Sequence, residues 1–204
     1  MTIELHEGDL PNDLDFGAAV AVDSETMGLN PLRDRLCLLQ LSAGDGNAHL
    51  VKFRAGDYAA PRLKALFEDS KVTKIFHFAR FDMAVIKHSL GVMPQSVFCT
   101  KIASKLVRTY TDRHGLKDLC KELLNIDLSK QQQSSDWGAE KYSDAQVEYA
   151  ASDVLYLHRL KEQLEDMLKR ENRAGMADAA FGFLPHRIEL DLGGWLETDI
   201  FAHS

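Results

Sequence analysis

A chain of 204 residues, 45% hydrophobic and 27% charged, is long enough to bury a real core and short for a catalytic domain plus a second folded module, so a single domain over 1–204 is expected. It contains no apolar run near the roughly 20 residues needed to cross a bilayer, which excludes a membrane span. The formal net charge of −7 excludes a broadly basic surface that tracks a long phosphate backbone.

The first fifteen residues, MTIELHEGDLPNDLD, carry acids early and lack both a basic leader and an apolar core segment, so no secretory signal is expected and the cytoplasm is the expected compartment. Two apolar runs, AAVAVDSE (18–25) and LCLLQLS (36–42), read as buried strands, and NAHLVKF (47–53) follows Asp45-Gly46 as the return strand of a hairpin. These three strands make a meander. Residues 59–69 have helical spacing, TKIFHF (73–78) is a short strand, and FDMAVIKHSL (81–90) is a helix that Gly91 ends. Beyond it, KIASKLVRTY, GLKDLCKELL and one long stretch over 144–173 are helical, the last starting at a Ser143 cap. The polar stretch SKQQQSSDWGAEKY (129–142) reads as a surface loop or lid. The fold class that follows is α/β (α+β), one mixed central sheet flanked by helices. Residues 183–204 are unusually apolar for a tail, with Phe183, Leu184, Ile188, Trp195, Ile200 and Phe201, and need a surface to cover. Cys37, Cys99 and Cys120 form no CxxC pair, which argues against disulfides or a thiolate metal site.

Four acids carry the chemistry. Asp23 and Glu25, at i and i+2 of a strand, present two carboxylates on one face. Tyr149 and Asp153, at i and i+4, share one helix face beside the small residues Ala150 and Ala151. Asp82 opens the helix after TKIFHF. Each alone reads as an ordinary solvated acid; together they supply the several carboxylates from different elements that two hard cations roughly 3.5–4 Å apart require. All-oxygen ligands select two divalent cations, Mg2+ or Mn2+. The Tyr149 phenol is suited to orient a water, since its ordinary pKa near 10 makes it a poor base at neutral pH.

VAVDSETMGL, FHFARFDMAV and EYAASDVLYL, in this order, resemble the three motifs of the ribonuclease D-like branch of the DEDD 3′-5′ exonucleases. The Tyr of Y-x-x-x-D marks the subfamily. The oligoribonuclease and proofreading branch would instead place His where this chain has Glu148. HGLKDLCKELL and SKQQQSSDW extend the resemblance over residues 18–165. It implies a DnaQ/ribonuclease H-like fold, Asp23, Glu25, Asp82 and Asp153 as metal ligands, and Tyr149 beside them in catalysis. Thr26, Leu29 and His77 become candidate substrate contacts, Leu29 as a wedge between two bases. Ribonuclease D adds C-terminal helical domains, and without them the compact chain with its apolar end, PHRIELDLGGWLETDIF, looks closer to the bacterial nano-RNase C group. That group implies a homo-oligomeric, octameric ring acting on very short RNA such as pGpG, and in some members on DNA.

Two alternatives stand beside this reading: a broader exonuclease on longer structured RNA or duplex DNA, and an inactive exonuclease fold serving as a binding or assembly subunit. The second is disfavoured because all four acids are present. Lys101, Lys105 and Arg108 form a helical stripe that reads as a solvated face, and Gln131, Gln132, Gln133, Ser134 and Trp137 are left open between lid and substrate contact.

Overall fold

A computed structural model describes residues 2–129 and 131–203. Lys130, in the expected 129–142 loop, and the two terminal residues lie outside the described residues. Among the described residues the sheet has six strands, β1 (Ile3–Glu7), β2 (Ala19–Thr26), β3 (Leu36–Ser42), β4 (Ala48–Lys52), β5 (Thr73–Phe76) and β6 (Val97–Cys99), in the order β1-β4-β3-β2-β5-β6. The expected meander is present: β2 and β3 pair antiparallel, as do β3 and β4, while β5 runs parallel to β2, β6 to β5 and β1 to β4. Every residue of β3 is buried, as suits a strand covered on both faces. The β3–β4 turn needs glycine at 44. There φ is +80°, and a Cβ would meet the His158 ring at 2.7 Å.

Among the described residues seven α-helices pack around the sheet: α1 (Pro61–Glu68), α2 (Ala79–Leu90), α3 (Thr100–Val107), α4 (Leu116–Leu124), α5 (Asp144–Leu155), α6 (Leu157–Arg170) and α7 (Ala174–Leu190). The mixed α/β class expected from the sequence is the one found. Alternate residues of β3 serve two clusters. Leu39 and Leu41 join the main core with residues of α2, α3 and α6, while Leu38 joins Cys37, Leu50, Trp137 and Ala150 under α5. Gly91 ends α2 as expected, at φ 80°, with its N–H bonded to the Lys87 carbonyl at 3.1 Å. Ser143 caps α5 through a reciprocal box with Gln146.

Three details differ from the sequence reading. Strand β1 was not anticipated, and β6 is only three residues long. The single long helix over 144–173 is two, because Tyr156 takes φ −110°, ψ −3°. The break lets α5 lie across β2, β3 and β4 while α6 packs against α3 and α4. In α6 the buried Leu157, Leu160, Leu164 and Leu168 follow helical spacing.

The segment read as a tail begins inside α7, where Leu184 and Ile188 are buried in the chain's own core. A turn over Asp191–Trp195 follows, kinked at Gly194, where φ is +106°. Buried Asp191 ties this end to α2. Arg80 grips it with two hydrogen bonds of 2.7 and 2.8 Å and reaches the Leu196 carbonyl, and Arg187 adds a second ion pair at 2.8 Å. Phe183, Trp195, Ile200 and Phe201 remain exposed. No helix among the described residues is long and apolar enough to cross a membrane.

Candidate active site

Strand β2 delivers the first two acids. Asp23 pairs with Gln40 and Glu25 with Leu38 across β3, so both side chains rise on one face, and the register slips immediately after Glu25. Such an irregularity re-aims side chains at a strand end. Ser24, between them, donates its hydroxyl to Asp82 Oδ1 at 2.6 Å. Asp82 stands in the first turn of α2 and is only 3% exposed. The middle residue of D-x-E therefore holds the acid of the second motif, a role that gave no signal in the sequence.

Helix α5 brings Tyr149 and Asp153 to the same place. Ala150 and Ala151, both fully buried, let its backbone approach the sheet closely. Carboxylate oxygens of Asp23, Glu25 and Asp153 can all lie within 4.8 Å of one another. Burial, reinforced by the neighbouring carboxylates, pushes Asp23 well above the usual carboxylate range and Glu25 up to about 9. Burial pushes Asp82 up to about 7 against the opposing Ser24 bond. Acids packed this way must either share protons or receive a cation. The donor set is oxygen only and its charge is high, so these residues fit hard divalent ions such as Mg2+ or Mn2+. Tyr149 is pushed upward from its ordinary phenol value, first by burial and then by Asp153, Glu25 and Asp23, and it donates to Asp153. At neutral pH it is a proton donor.

All eight expected site residues line one cavity of about 680 Å³: Asp23, Glu25, Thr26, Leu29, His77, Asp82, Tyr149 and Asp153. Leu29 is 85% exposed on its rim. The Thr26 hydroxyl donates to the Gly28 carbonyl, and His77 Nδ1 lies 2.9 Å from Thr100 Oγ1. Phe78, Phe81 and Lys117 line the cavity although the sequence reading passed over them. Lys101, read as part of a solvated stripe, also lines it, with its ammonium 4.4 Å from the Phe78 ring centre. Arg108 of that stripe corrects the reading in the other direction. It is fully buried, paired with Glu122 and bonded to Ser104 Oγ at 3.0 Å and the Arg113 carbonyl at 2.6 Å.

From the 129–142 loop, Gln133 and Ser134 line the cavity, together with Ser129, Ser135 and Trp137. Trp137 is 3% exposed, packs against Tyr149 and Tyr142 and accepts the Tyr142 hydroxyl on its carbonyl at 2.8 Å. It anchors the loop.

A second cluster, Glu4, His6 and His49, also brings ligand-type atoms within 4.8 Å. The His6 and His49 rings lie within 16° of parallel with centres 5.5 Å apart and facing nitrogens at 3.2 Å, and each of those nitrogens lies 3.9 Å from Glu4 Oε2.

A family model described as 3′-5′ exonuclease matches residues 6–169. Ribonuclease D of Gluconacetobacter diazotrophicus is 33% identical over 154 residues, which is 76% of this chain and 39% of that protein. The chain thus spans about two fifths of the length of the curated ribonuclease D relatives it matches. A solved structure of Brucella melitensis NrnC is 62% identical, covers 100% of both chains and superposes with a TM-score of 0.97. That protein has also been solved with bound Mg2+ and bound to pGG. Escherichia coli RNase D, an exoribonuclease involved in structured RNA processing, is 25% identical over 84% of this chain and 46% of its own, with a TM-score of 0.72.

Proposed function

Because the chain belongs to the 3′-5′ exonuclease family, in the group of Brucella melitensis NrnC, we propose that it hydrolyses short oligoribonucleotides, dinucleotides such as pGpG among them, from the 3′ end to 5′-mononucleotides. The observation that carries this reading is the convergence of four carboxylates from β2, α2 and α5 on one cavity beside a protonated phenol. Asp23, Glu25, Asp82 and Asp153 are the ligands for two divalent cations. When bound, such a pair supplies charge neutralisation at the phosphate and a lowered pKa for the attacking water.

The chain's own groups do the positioning. Tyr149, from the α5 face, holds the attacking water by a hydrogen bond to its phenol oxygen and fixes it in line with the scissile bond. Attack at phosphorus forms the new P–O bond, and the P–O3′ bond breaks, with the 3′ oxygen leaving as a hydroxyl. Ser24 holds Asp82 so that its carboxylate faces the site. In this reading Leu29, exposed at the rim, wedges between two bases, and Thr26 and His77, which line the same cavity, contact the substrate.

Short RNA is favoured as substrate for two reasons. The cavity of about 680 Å³, with Gln133, Ser134 and Ser135 in its lining, has room for a few nucleotides only. The net charge of −7 offers little attraction for a long backbone. The exposed Phe183, Trp195, Ile200 and Phe201 support a homo-oligomer, an octameric ring in this reading, with the C-terminal segment as its contact. The three free, buried cysteines accord with a cytoplasmic protein.

A length series tests the substrate directly. With Mg2+ or Mn2+, a 5′-labelled set from two to about twenty nucleotides, RNA beside DNA and single strands beside duplexes, should show kcat/KM for the dinucleotide at least about tenfold above that for the longest RNA, a gap of about 1.4 kcal/mol. Equal turnover of long RNA or duplex DNA would replace this reading with that of a general exonuclease.

A further inference from the structure

Parallel pairing of β1 with β4 sets Glu4 directly opposite His49, and His6 follows Glu4 by two residues, so the three side chains stand on one face at the edge of the sheet. The register says which face. Asp23 pairs with Gln40 and Gln40 with Leu50, the residue after His49, so the cluster lies on the face opposite Asp23 and Glu25. None of its three residues lines the cavity.

The spacing suits ligands of one ion. His6 Nε2 and His49 Nδ1 are 3.2 Å apart, and donors about 2.0–2.1 Å from a tetrahedral ion stand about 3.3 Å from one another. Glu4 Oε2 is 3.9 Å from each nitrogen, and its half-exposed side chain can close that gap by rotating about its own bonds, while the two imidazoles are only 16% and 12% exposed. Buried Phe16 stands edge-on to His49, at 90° and 5.9 Å between centres, as a wall beside that ring. One N–H lies between the two facing nitrogens. A neutral imidazole can carry its proton on either nitrogen, so moving it to the outer one presents both inner lone pairs to a cation with no change in net charge.

We propose that Glu4, His6 and His49 form a second metal site, for a transition-metal dication of the Zn2+ type, that clips β1 to β4. Two imidazole nitrogens and one carboxylate oxygen are a donor set that favours Zn2+, whereas the all-oxygen site on the other face favours Mg2+ or Mn2+. Three protein ligands leave a fourth position to water, which reaches the ion past exposed Glu4. Strand β1 is what the ion would hold. It is polar, half exposed and last in the strand order, with β4 as its neighbour, and a shared cation adds a side-chain bond across that pairing. The site therefore acts on the stability of the sheet edge and not on turnover.

The test is calorimetric titration of the full chain with Zn2+ in millimolar Mg2+ at about pH 7.5, where imidazoles are ordinarily neutral, with His6→Gln and His49→Gln in parallel. The wild type should show a Zn2+ step that each variant weakens by at least about 100-fold, since losing a ligand costs more than the roughly 10–100-fold of losing a group that orients one. With Zn2+ at a hundredfold excess over its Kd, the wild-type melting temperature should rise by about 5–10 °C above its value in Mg2+ alone, and the variants should lose this rise. Mg2+-dependent hydrolysis of the dinucleotide should stay within about twofold in both. X-ray absorption of the wild type with one equivalent of Zn2+ needs no variant and decides the matter if the variants fail to fold: two imidazoles about 2.0–2.1 Å from the zinc support the proposal, and an oxygen-only shell, which would place the zinc among the four acids, overturns it. Equal Zn2+ affinity in the wild type and the folded variants, or no Zn2+ step at all, also overturns it and leaves His6 and His49 as a hydrogen-bonded pair.

Discussion

Replacing Asp153 with asparagine should lower kcat by about 10³-fold or more, equivalent to about 4 kcal/mol of barrier, while raising the melting temperature of the metal-free protein. Both effects follow from the same crowding. Burial and mutual repulsion hold Asp23 and Glu25 above the usual carboxylate range, with Asp153 among the repelling charges for each. Asparagine keeps the shape and removes that charge, so the empty site relaxes, by about 2–4 °C for each kcal/mol relieved. The pH dependence has a definite sign. Glu25 at about 9 and Asp82 at about 7 stay protonated in the folded, metal-free chain at pH values where an unfolded carboxyl, with a pKa of about 4, has already ionised. The folded state then binds more protons than the unfolded one, so metal-free stability falls as pH rises from about 4 to about 9. Millimolar Mg2+ should flatten this slope, because the cation takes the place of the protons. Thermal melts at several pH values with and without EDTA, beside single-turnover kinetics, check both halves. Full turnover in the variant would remove Asp153 from the ligand set, and a lower metal-free melting temperature would show that repulsion does not dominate the empty site.

Tyr149→Phe should cost about 10²–10³ in kcat with little change in KM. The phenol is pushed upward from its ordinary value, first by burial and then by the acids around it, so at neutral pH it stays protonated and orients water without acting as a base. Phenylalanine retains the ring that packs on Trp137, at 6.1 Å between centres, and the loop anchored there should stay in place. Mn2+ affinity should therefore remain within about threefold, a difference of less than 1 kcal/mol. A large loss of affinity would mean that the hydroxyl mainly supports Asp153. Unchanged kcat would mean that another group places the water.

Much of this site was legible from spacing within single elements. AVAVDSET, an apolar run ending in acids, reads as a strand that puts Asp23 and Glu25 on one face, and YAASD puts Tyr149 and Asp153 one turn apart. That three elements converge is a tertiary fact, and the sequence carried it only through the ordered motifs. The resemblance to the ribonuclease D-like exonucleases and the nano-RNase C group agrees with the family model and with the likeness to NrnC.

What escaped the sequence did so for physical reasons. Strand β1, IELHE, is polar and half exposed, and it exists through its parallel pairing with β4 at the sheet edge. Val97–Cys99 is too short to show a period, and the break at Tyr156 interrupts an uninterrupted helical pattern to satisfy packing on two different surfaces. Arg108 reads as solvated by helical spacing, yet it is buried because Glu122 and the Arg113 carbonyl, both from beyond its own helix, receive its guanidinium.

The central claim is that Asp23, Glu25, Asp82 and Asp153 together hold two divalent cations. Diffraction from Mn2+-soaked crystals at the manganese absorption edge tests it most directly. The account predicts two anomalous peaks about 3.5–4 Å apart, both in contact with these four carboxylates and next to the Tyr149 hydroxyl. A single peak, or manganese bound away from the four acids, would contradict it.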